Sequence, residues 1–155
     1  MKRLEEKLTN KSARIGIVGL GYVGLPLALA FSEAGFKVLG FDIQPKRADS
    51  VNLGKSYIAD VADDRLSSMV TKNLLEATTD QSRLREMDVI CICVPTPLTR
   101  TKEPNLSFIR TEAEELSRNL CRGQMVILES TTYPGTTREV VLPILETSGL
   151  KGGTD

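Results

Sequence analysis

The chain has 155 residues, 41% of them hydrophobic and 26% charged, the balance of an ordinary globular protein with room for one sizeable core. Its 20 Lys and Arg offset 20 Asp and Glu, and the absence of net charge or a long basic run argues against a nucleic-acid surface. Histidine is absent, which excludes a histidine general base, a Ser-His triad or a histidine-bound metal, and no run of about 18 apolar residues offers a membrane span.

Residues 1–12 are mostly polar. Met1, Leu4 and Leu8 stand at helical spacing, which fits either a short amphipathic arm or a frayed terminus. Lys2 and Arg3 run into Glu5, Glu6 and Lys7 instead of an apolar stretch, so no signal peptide is expected. Arg14-Ile15-Gly16-Ile17-Val18 then reads as an apolar strand leading into Gly19-Leu20-Gly21-Tyr22-Val23-Gly24, a G-x-G-x-x-G run. A helix follows through Leu27, Ala30, Phe31 and Ala34 to Gly35, with Pro26 in its first turn, where a missing N–H costs little. A second apolar run from Lys37 to Phe41 ends at Asp42, close to the roughly 20-residue spacing of the dinucleotide-binding fingerprint.

Each part of that unit has a physical role. Gly19 permits a tight turn, Gly21 lets a pyrophosphate approach the backbone, and Gly24 lets helix and sheet pack closely. The helix start offers free N–H groups and the positive end of its dipole to the phosphates. Asp42 accepts from the hydroxyls of the adenosine ribose and repels a 2′-phosphate, which favours NAD over NADP. Lys46 and Arg47 nearby weaken the latter preference.

Pro45 opens a second helix that runs to about Asn52, with Gly54 just past its end. Asp63 to Val70 carries apolar residues three and four apart and predicts another helix. Glu76 to Thr79 reads as a third strand, and Asp80 caps a short helix through Arg83 and Leu84. Asp88 to Val94 is the most apolar strand and needs cover on both faces, as a parallel sheet provides. Pro95-Thr96-Pro97 stops it, and a polar loop from Thr99 to Asn105 leads to a helix over 107–120. Ile109, Ala113, Leu116 and Leu120 form the inner stripe of that helix, and Glu114 and Arg118 form an outer pair. Met125 to Glu129 is the fifth strand, and Ser130-Thr131-Thr132-Tyr133-Pro134-Gly135 a turn. The last helix carries Val140, Val141, Ile144 and Leu145, and Pro143 inside it predicts a kink or an early end.

The order βαβα(α)βαβαβα predicts an α/β fold of Rossmann type: a doubly wound parallel sheet with helices on both faces. The ligand site is expected at the carboxyl ends of the strands, where Gly19–Gly24, Asp42–Arg47, Pro95-Thr96-Pro97 and Ser130-Thr131 meet. The hydroxyls there fit cofactor contacts and turn chemistry equally. Three cysteines, an odd number, indicate reduced thiols in a cytoplasmic protein. Cys91 and Cys93 alternate onto one face of their strand and read as small core residues, not a metal pair.

Three stretches taken together are more specific: Gly19-Leu20-Gly21-Tyr22-Val23-Gly24-Leu25-Pro26-Leu27-Ala28, Val94-Pro95-Thr96-Pro97-Leu98, and Glu129-Ser130-Thr131-Thr132-Tyr133-Pro134-Gly135-Thr136-Thr137. In this order they resemble the N-terminal domain of the UDP-glucose/GDP-mannose dehydrogenase family, NAD-dependent nucleotide-sugar 6-dehydrogenases. The last stretch, and Lys55-Ser56-Tyr57-Ile58, resemble the members acting on UDP-N-acetylhexosamines. The resemblance implies that Tyr22 and Val23 meet the pyrophosphate. It puts Asp42, Ile43 and Arg47 at the adenosine end, and Val94, Pro95, Thr96, Ser130 and Thr131 along the cofactor toward the nicotinamide. Asn105 departs from the Asp that often follows Glu103-Pro104 in the family.

In that family a C6 alcohol is oxidised twice at the expense of two NAD+, with a cysteine carrying the intermediate and Lys, Asn and Asp assisting. None of Cys91, Cys93 or Cys121 matches that cysteine, so no catalytic residue is assigned within the chain. The expected organisation is an arm over 1–13, an NAD-binding domain over 14–150 and a tail over 151–155. A sixth strand and the substrate domain are expected to be missing, leaving a fragment inactive by itself. NAD(H) and, for the whole enzyme, a UDP-sugar are the implied partners, with homo-oligomers formed through other regions and no nucleic acid, membrane or metal. A non-catalytic NAD-binding or regulatory module, and another Rossmann dehydrogenase, are the alternatives.

Overall fold

The apolar runs become five parallel strands, β1 (Arg14–Val18), β2 (Lys37–Phe41), β3 (Leu75–Thr78), β4 (Val89–Ile92) and β5 (Met125–Leu128), in the order β3-β2-β1-β4-β5. The structure, a computed structural model, describes residues 2–98 and 104–155. β1 is central: Ile17 stands between Gly40 of β2 and Cys91 of β4. From β1 the chain winds outward to β3, then returns to start β4 on the other side. The strand order thus reverses between β1 and β4, where the carboxyl ends of the strands open a crevice.

Alternation along each strand sends side chains to two cores. Ile15, Ile17, Val38, Ala77 and Cys91 meet one layer, made by α2 (Gly24–Glu33), α3 (Pro45–Asn52) and α4 (Asp63–Thr71) through Leu25, Leu29, Val51 and Leu66. Val18, Leu39, Phe41, Ile90 and Ile92 meet the other. There α5 (Ser107–Asn119) contributes Ile109 and Leu116, and a 3₁₀ turn over Gln81–Glu86 contributes Leu84. Each fully buried aliphatic side chain contributes roughly 1.5–3 kcal/mol, so two-sided cover is what makes these near-continuous apolar strands stable. The doubly wound α/β class is therefore as expected, and Cys91 and Cys93 are both buried core thiols.

The amino-terminal residues form a helix, α1 (Lys2–Thr9), rather than a frayed end. Leu4 and Leu8 pack on the first core. Lys7 pairs with the Asp88 Oδ1, while the Asp88 Oδ2 accepts from the Arg14 N–H at 2.9 Å. Met1 lies outside the described residues. At the β3 edge of the sheet, the Asn52 amide occupies the backbone of Ala77: its Nδ2 donates to the Ala77 carbonyl at 2.9 Å, and its Oδ1 accepts from the Ala77 N–H at 2.8 Å.

Several details differ from expectation. β3 starts and ends one residue earlier, and the regular part of β4 stops at Ile92, although the Cys93 N–H still donates to the Val18 carbonyl at 2.8 Å. Leu120, expected on the inner stripe of α5, is only partly buried. The expected Glu114–Arg118 pair does not form; Arg118 turns to Glu115, since positions three and four apart are equally near on a helix. Most of the loop from Thr99 to Asn105, with Glu103, falls outside the described residues. Beside it Leu98 and Pro104 form an antiparallel bridge, and Asn105 Oδ1 accepts from the Ser107 N–H at 2.9 Å at the start of α5. Pro143 interrupts its helix as expected. A π-helical turn (Thr137–Val141) hands over to the short α6 (Leu142–Leu145), with Pro143 in its first turn.

Candidate functional site

The crevice is built around the turn that leaves β1. Gly19 has φ +90° and its N–H donates to the Phe41 carbonyl at 2.8 Å, tying the turn to the end of β2. A Cβ on Gly24 would lie 1.8 Å from the Gly19 carbonyl oxygen, so only hydrogen fits there. Gly21 is the opposite case: nothing lies within 4 Å of where its Cβ would be. α2 begins with a bond from the Leu25 N–H to the Gly21 carbonyl at 3.1 Å, and Val23 supplies no side-chain cap. The N–H groups of Tyr22, Val23 and Gly24 have no partner among the described residues. Tyr22 is 81% exposed and Val23 55%. An open glycine beside unpaired N–H donors is a cradle suited to an anion such as a pyrophosphate.

Next to it stands Asp42, buried at the end of β2. Its Oδ2 accepts from the Leu20 N–H at 3.0 Å, its Oδ1 accepts from the Gln44 N–H at 2.9 Å, and Arg47 Nη1 approaches Oδ2 at 3.3 Å. The Arg47 guanidinium lies 5.7 Å above the centre of the Tyr57 ring, and the Tyr57 hydroxyl donates to the Leu20 carbonyl at 2.8 Å. The two peptides that flank Leu20 are thus both held, the Gly19–Leu20 N–H by Asp42 and the Leu20–Gly21 carbonyl by Tyr57. Burial pushes the Tyr57 phenol up to about 12; the Asp42 charge adds to the rise and Arg47 opposes it. Ile43, 72% exposed, stands beyond Asp42 as an apolar surface at the rim.

The exits of β4 and β5 complete the crevice. Val94 is buried, Pro95 exposed and Thr96 half-buried. The Ser130 hydroxyl donates to the Val94 carbonyl at 2.8 Å and approaches the Ile92 carbonyl at 3.3 Å, so it laces the two exits together in the manner of turn chemistry. Thr131 is exposed beside it. Farther along, a depression of about 510 Å³ opens against Tyr133, Gly135, Thr136 and Arg138 at the entry to the π-helical turn.

All four sequence-predicted segments therefore follow the carboxyl ends of β1, β2, β4 and β5. Tyr57, Leu20 and Gln44 were not among the predicted site residues. The signal for Tyr57 was there, in the stretch Lys55-Ser56-Tyr57-Ile58, but it pointed to the sugar.

None of the three thiols belongs to the crevice chemistry. Burial first, and Glu129 after it, push Cys91 up to about 11; burial, Cys91 and Glu129 push Cys93 up to about 12. Cys121 is exposed, but it follows α5 and precedes β5, at the amino ends of the strands. Among the described residues no cluster of three or more Cys, Asp or Glu is placed to hold a metal, and no helix is long and apolar enough to cross a membrane.

Comparison with known proteins agrees with this geometry. Residues 13–154 match the UDP-glucose/GDP-mannose dehydrogenase family, NAD binding domain. The UDP-N-acetyl-D-mannosamine dehydrogenase of Pyrococcus horikoshii is 35% identical over 143 residues, covering 92% of this chain and 34% of the relative. The UDP-N-acetyl-D-glucosamine 6-dehydrogenase of Salmonella typhi is 36% identical over 132 residues, 85% of this chain and 30% of its own. A ternary complex of GDP-mannose dehydrogenase from Pseudomonas aeruginosa superposes with a TM-score of 0.88 at 35% identity, covering 92% of this chain and 34% of that one. The chain spans about a third of the length of the curated relatives it matches. By its glycine cradle, its strand order and this match over almost its whole length, the chain belongs to the UDP-glucose/GDP-mannose dehydrogenase family, within that family's NAD binding domain.

Proposed function

We propose that this chain is the NAD-binding part of a nucleotide-sugar 6-dehydrogenase that acts on a UDP-N-acetylhexosamine. The observation that carries the reading is the open backbone at Gly21, beside the packed Gly19–Gly24 contact and one peptide from Asp42. The pyrophosphate lies over Gly21 and takes the free N–H groups of Tyr22 and Val23. The adenosine ribose reaches Asp42, with Ile43 and Arg47 around the adenosine. Val94, Pro95, Thr96, Ser130 and Thr131 line the way to the nicotinamide. When bound, NAD+ supplies a two-electron acceptor. Taking a primary alcohol to a carboxylate removes four electrons, so two NAD+ are used per sugar. The chain's own part is to hold and orient the cofactor, since none of its thiols stands at the crevice in a reactive form. The sugar assignment is supported by the motifs at Lys55–Ile58 and Glu129–Thr137. Relatives named for UDP-N-acetylmannosamine, UDP-N-acetylglucosamine and GDP-mannose are similar to this chain at 35–36% identity, so overall likeness does not decide between sugars.

Calorimetric titration with NAD+ and NADP+ tests the cofactor assignment. Wild type should bind NAD+ in preference to NADP+, and Asp42→Ala should erase the preference. Folded wild-type protein that binds neither nucleotide would overturn the reading. Given NAD+ and UDP-N-acetylglucosamine, the chain alone should form no NADH.

A further inference from the structure

Tyr57 is contributed by a segment, between α3 and α4, that belongs to neither the glycine turn nor the strand ends. Yet its two polar contacts among the described residues are both with the cofactor cradle. Its hydroxyl takes the Leu20 carbonyl at 2.8 Å, and its ring face carries the Arg47 guanidinium at 5.7 Å. The first contact fixes the Leu20–Gly21 peptide, next to the Gly19–Leu20 peptide that Asp42 holds. The second places a cation, itself 3.3 Å from the Asp42 Oδ2, on a flat support that lets it keep that ion pair. Asp42 is almost wholly buried, whereas Arg47 is 39% exposed, so Arg47 is the partner free to move.

We propose that Tyr57 is a positioning residue of the dinucleotide site: its hydroxyl sets the Leu20–Gly21 turn, and its ring parks Arg47 on Asp42. The inference rests on NAD binding at the glycine turn, as proposed above. Its consequence is a division of labour within one side chain. The hydroxyl serves affinity, because the turn meets the pyrophosphate in one conformation only while both peptides that flank Leu20 are held. The ring serves discrimination, because an Arg47 parked on Asp42 is withheld from the 2′-phosphate that it would otherwise attract. Through Tyr57 this segment therefore acts on the cofactor as well.

Titrations with NAD+ and NADP+ separate the two parts. Tyr57→Phe removes the hydroxyl and keeps the ring; it should weaken NAD+ by about 3- to 10-fold, as loss of one hydrogen bond implies, with the NADP+/NAD+ ratio unchanged. Tyr57→Leu removes both, and the ratio should then move toward NADP+. Adding Arg47→Met to Tyr57→Leu should remove that gain, an effect that a purely structural role for Tyr57 does not produce. A Tyr57→Phe protein that melts like wild type and binds NAD+ equally well would overturn the proposal while leaving the cofactor assignment intact. Wild type that binds no NAD+ would overturn both, and that result is read on a different protein.

Discussion

Gly21 and Gly24 are spelled alike in the fingerprint but are constrained by different things, one by the fold and the other by its ligand. The Gly24 hydrogen faces the Gly19 carbonyl oxygen, where a Cβ would stand at 1.8 Å, so Gly24→Ala must push apart the turn and α2. It should destabilise the protein by roughly 1–3 kcal/mol or more and abolish NAD+ binding. Gly21→Ala adds a methyl to open space, and thermal unfolding should stay within about 0.5 kcal/mol of wild type, while NAD+ binding weakens because the methyl occupies the anion's approach. Thermal melts paired with titrations check both; equal losses of stability would refute the distinction. This contrast was legible in the sequence, because the fingerprint encodes local backbone chemistry. The Tyr57–Leu20 bond was not, since it joins positions separated by 37 in the chain and depends on how the segment after α3 folds back. Asp42 was identified correctly as the acid at the end of β2, but its burial and its bonds to the Leu20 and Gln44 N–H groups appear only once the strands pair.

At the level of elements, α5 illustrates both the power and the limit of periodicity. Ile109, Ala113 and Leu116 fall on the buried stripe as their spacing predicts. Glu112 lies on the same side, nine-tenths buried, and its Oε2 has no hydrogen-bond partner among the described residues. Gln81 Oε1 is likewise unpartnered, on the 3₁₀ turn that α5 packs against. A pattern reading passes over such a residue, because a buried glutamate without a partner is rare. Burial, then the charges of Glu115 and Asp42, raise its carboxyl above the ordinary 4.5. A folded-state value raised above the unfolded one favours the folded state at low pH, and that contribution is lost as pH climbs from 4.5 through the folded value. Glu112→Gln should therefore raise the melting temperature at neutral pH and flatten its fall as pH climbs above 4.5; melts over that rise that parallel wild type would count against it. The helix before Pro143 makes a similar point. The proline announced a break, but the π-helical winding, in which the Leu142 N–H reaches back to the Thr137 carbonyl, is a tertiary choice.

At the level of the whole molecule, the two sides of the sheet end differently. Among the described residues β5 pairs only with β4, its Met125 is 47% exposed, and the rest of the strand is half-buried. Such a strand is open to a further partner, so the isolated chain should self-associate as its concentration rises, and Met125→Lys should suppress this. Sedimentation at increasing concentration checks it, and a wild-type profile that stays monomeric throughout would rule it out. On the far side, the backbone of Ala77 in β3 is already satisfied by the Asn52 amide. In the language of polymer chemistry the molecule has unequal ends: β5 is the reactive one, and β3 is partly blocked by the Asn52 amide on Ala77. Two copies that meet through β5 therefore consume both reactive ends at once, and a fibre could grow from the pair only through the partly blocked β3.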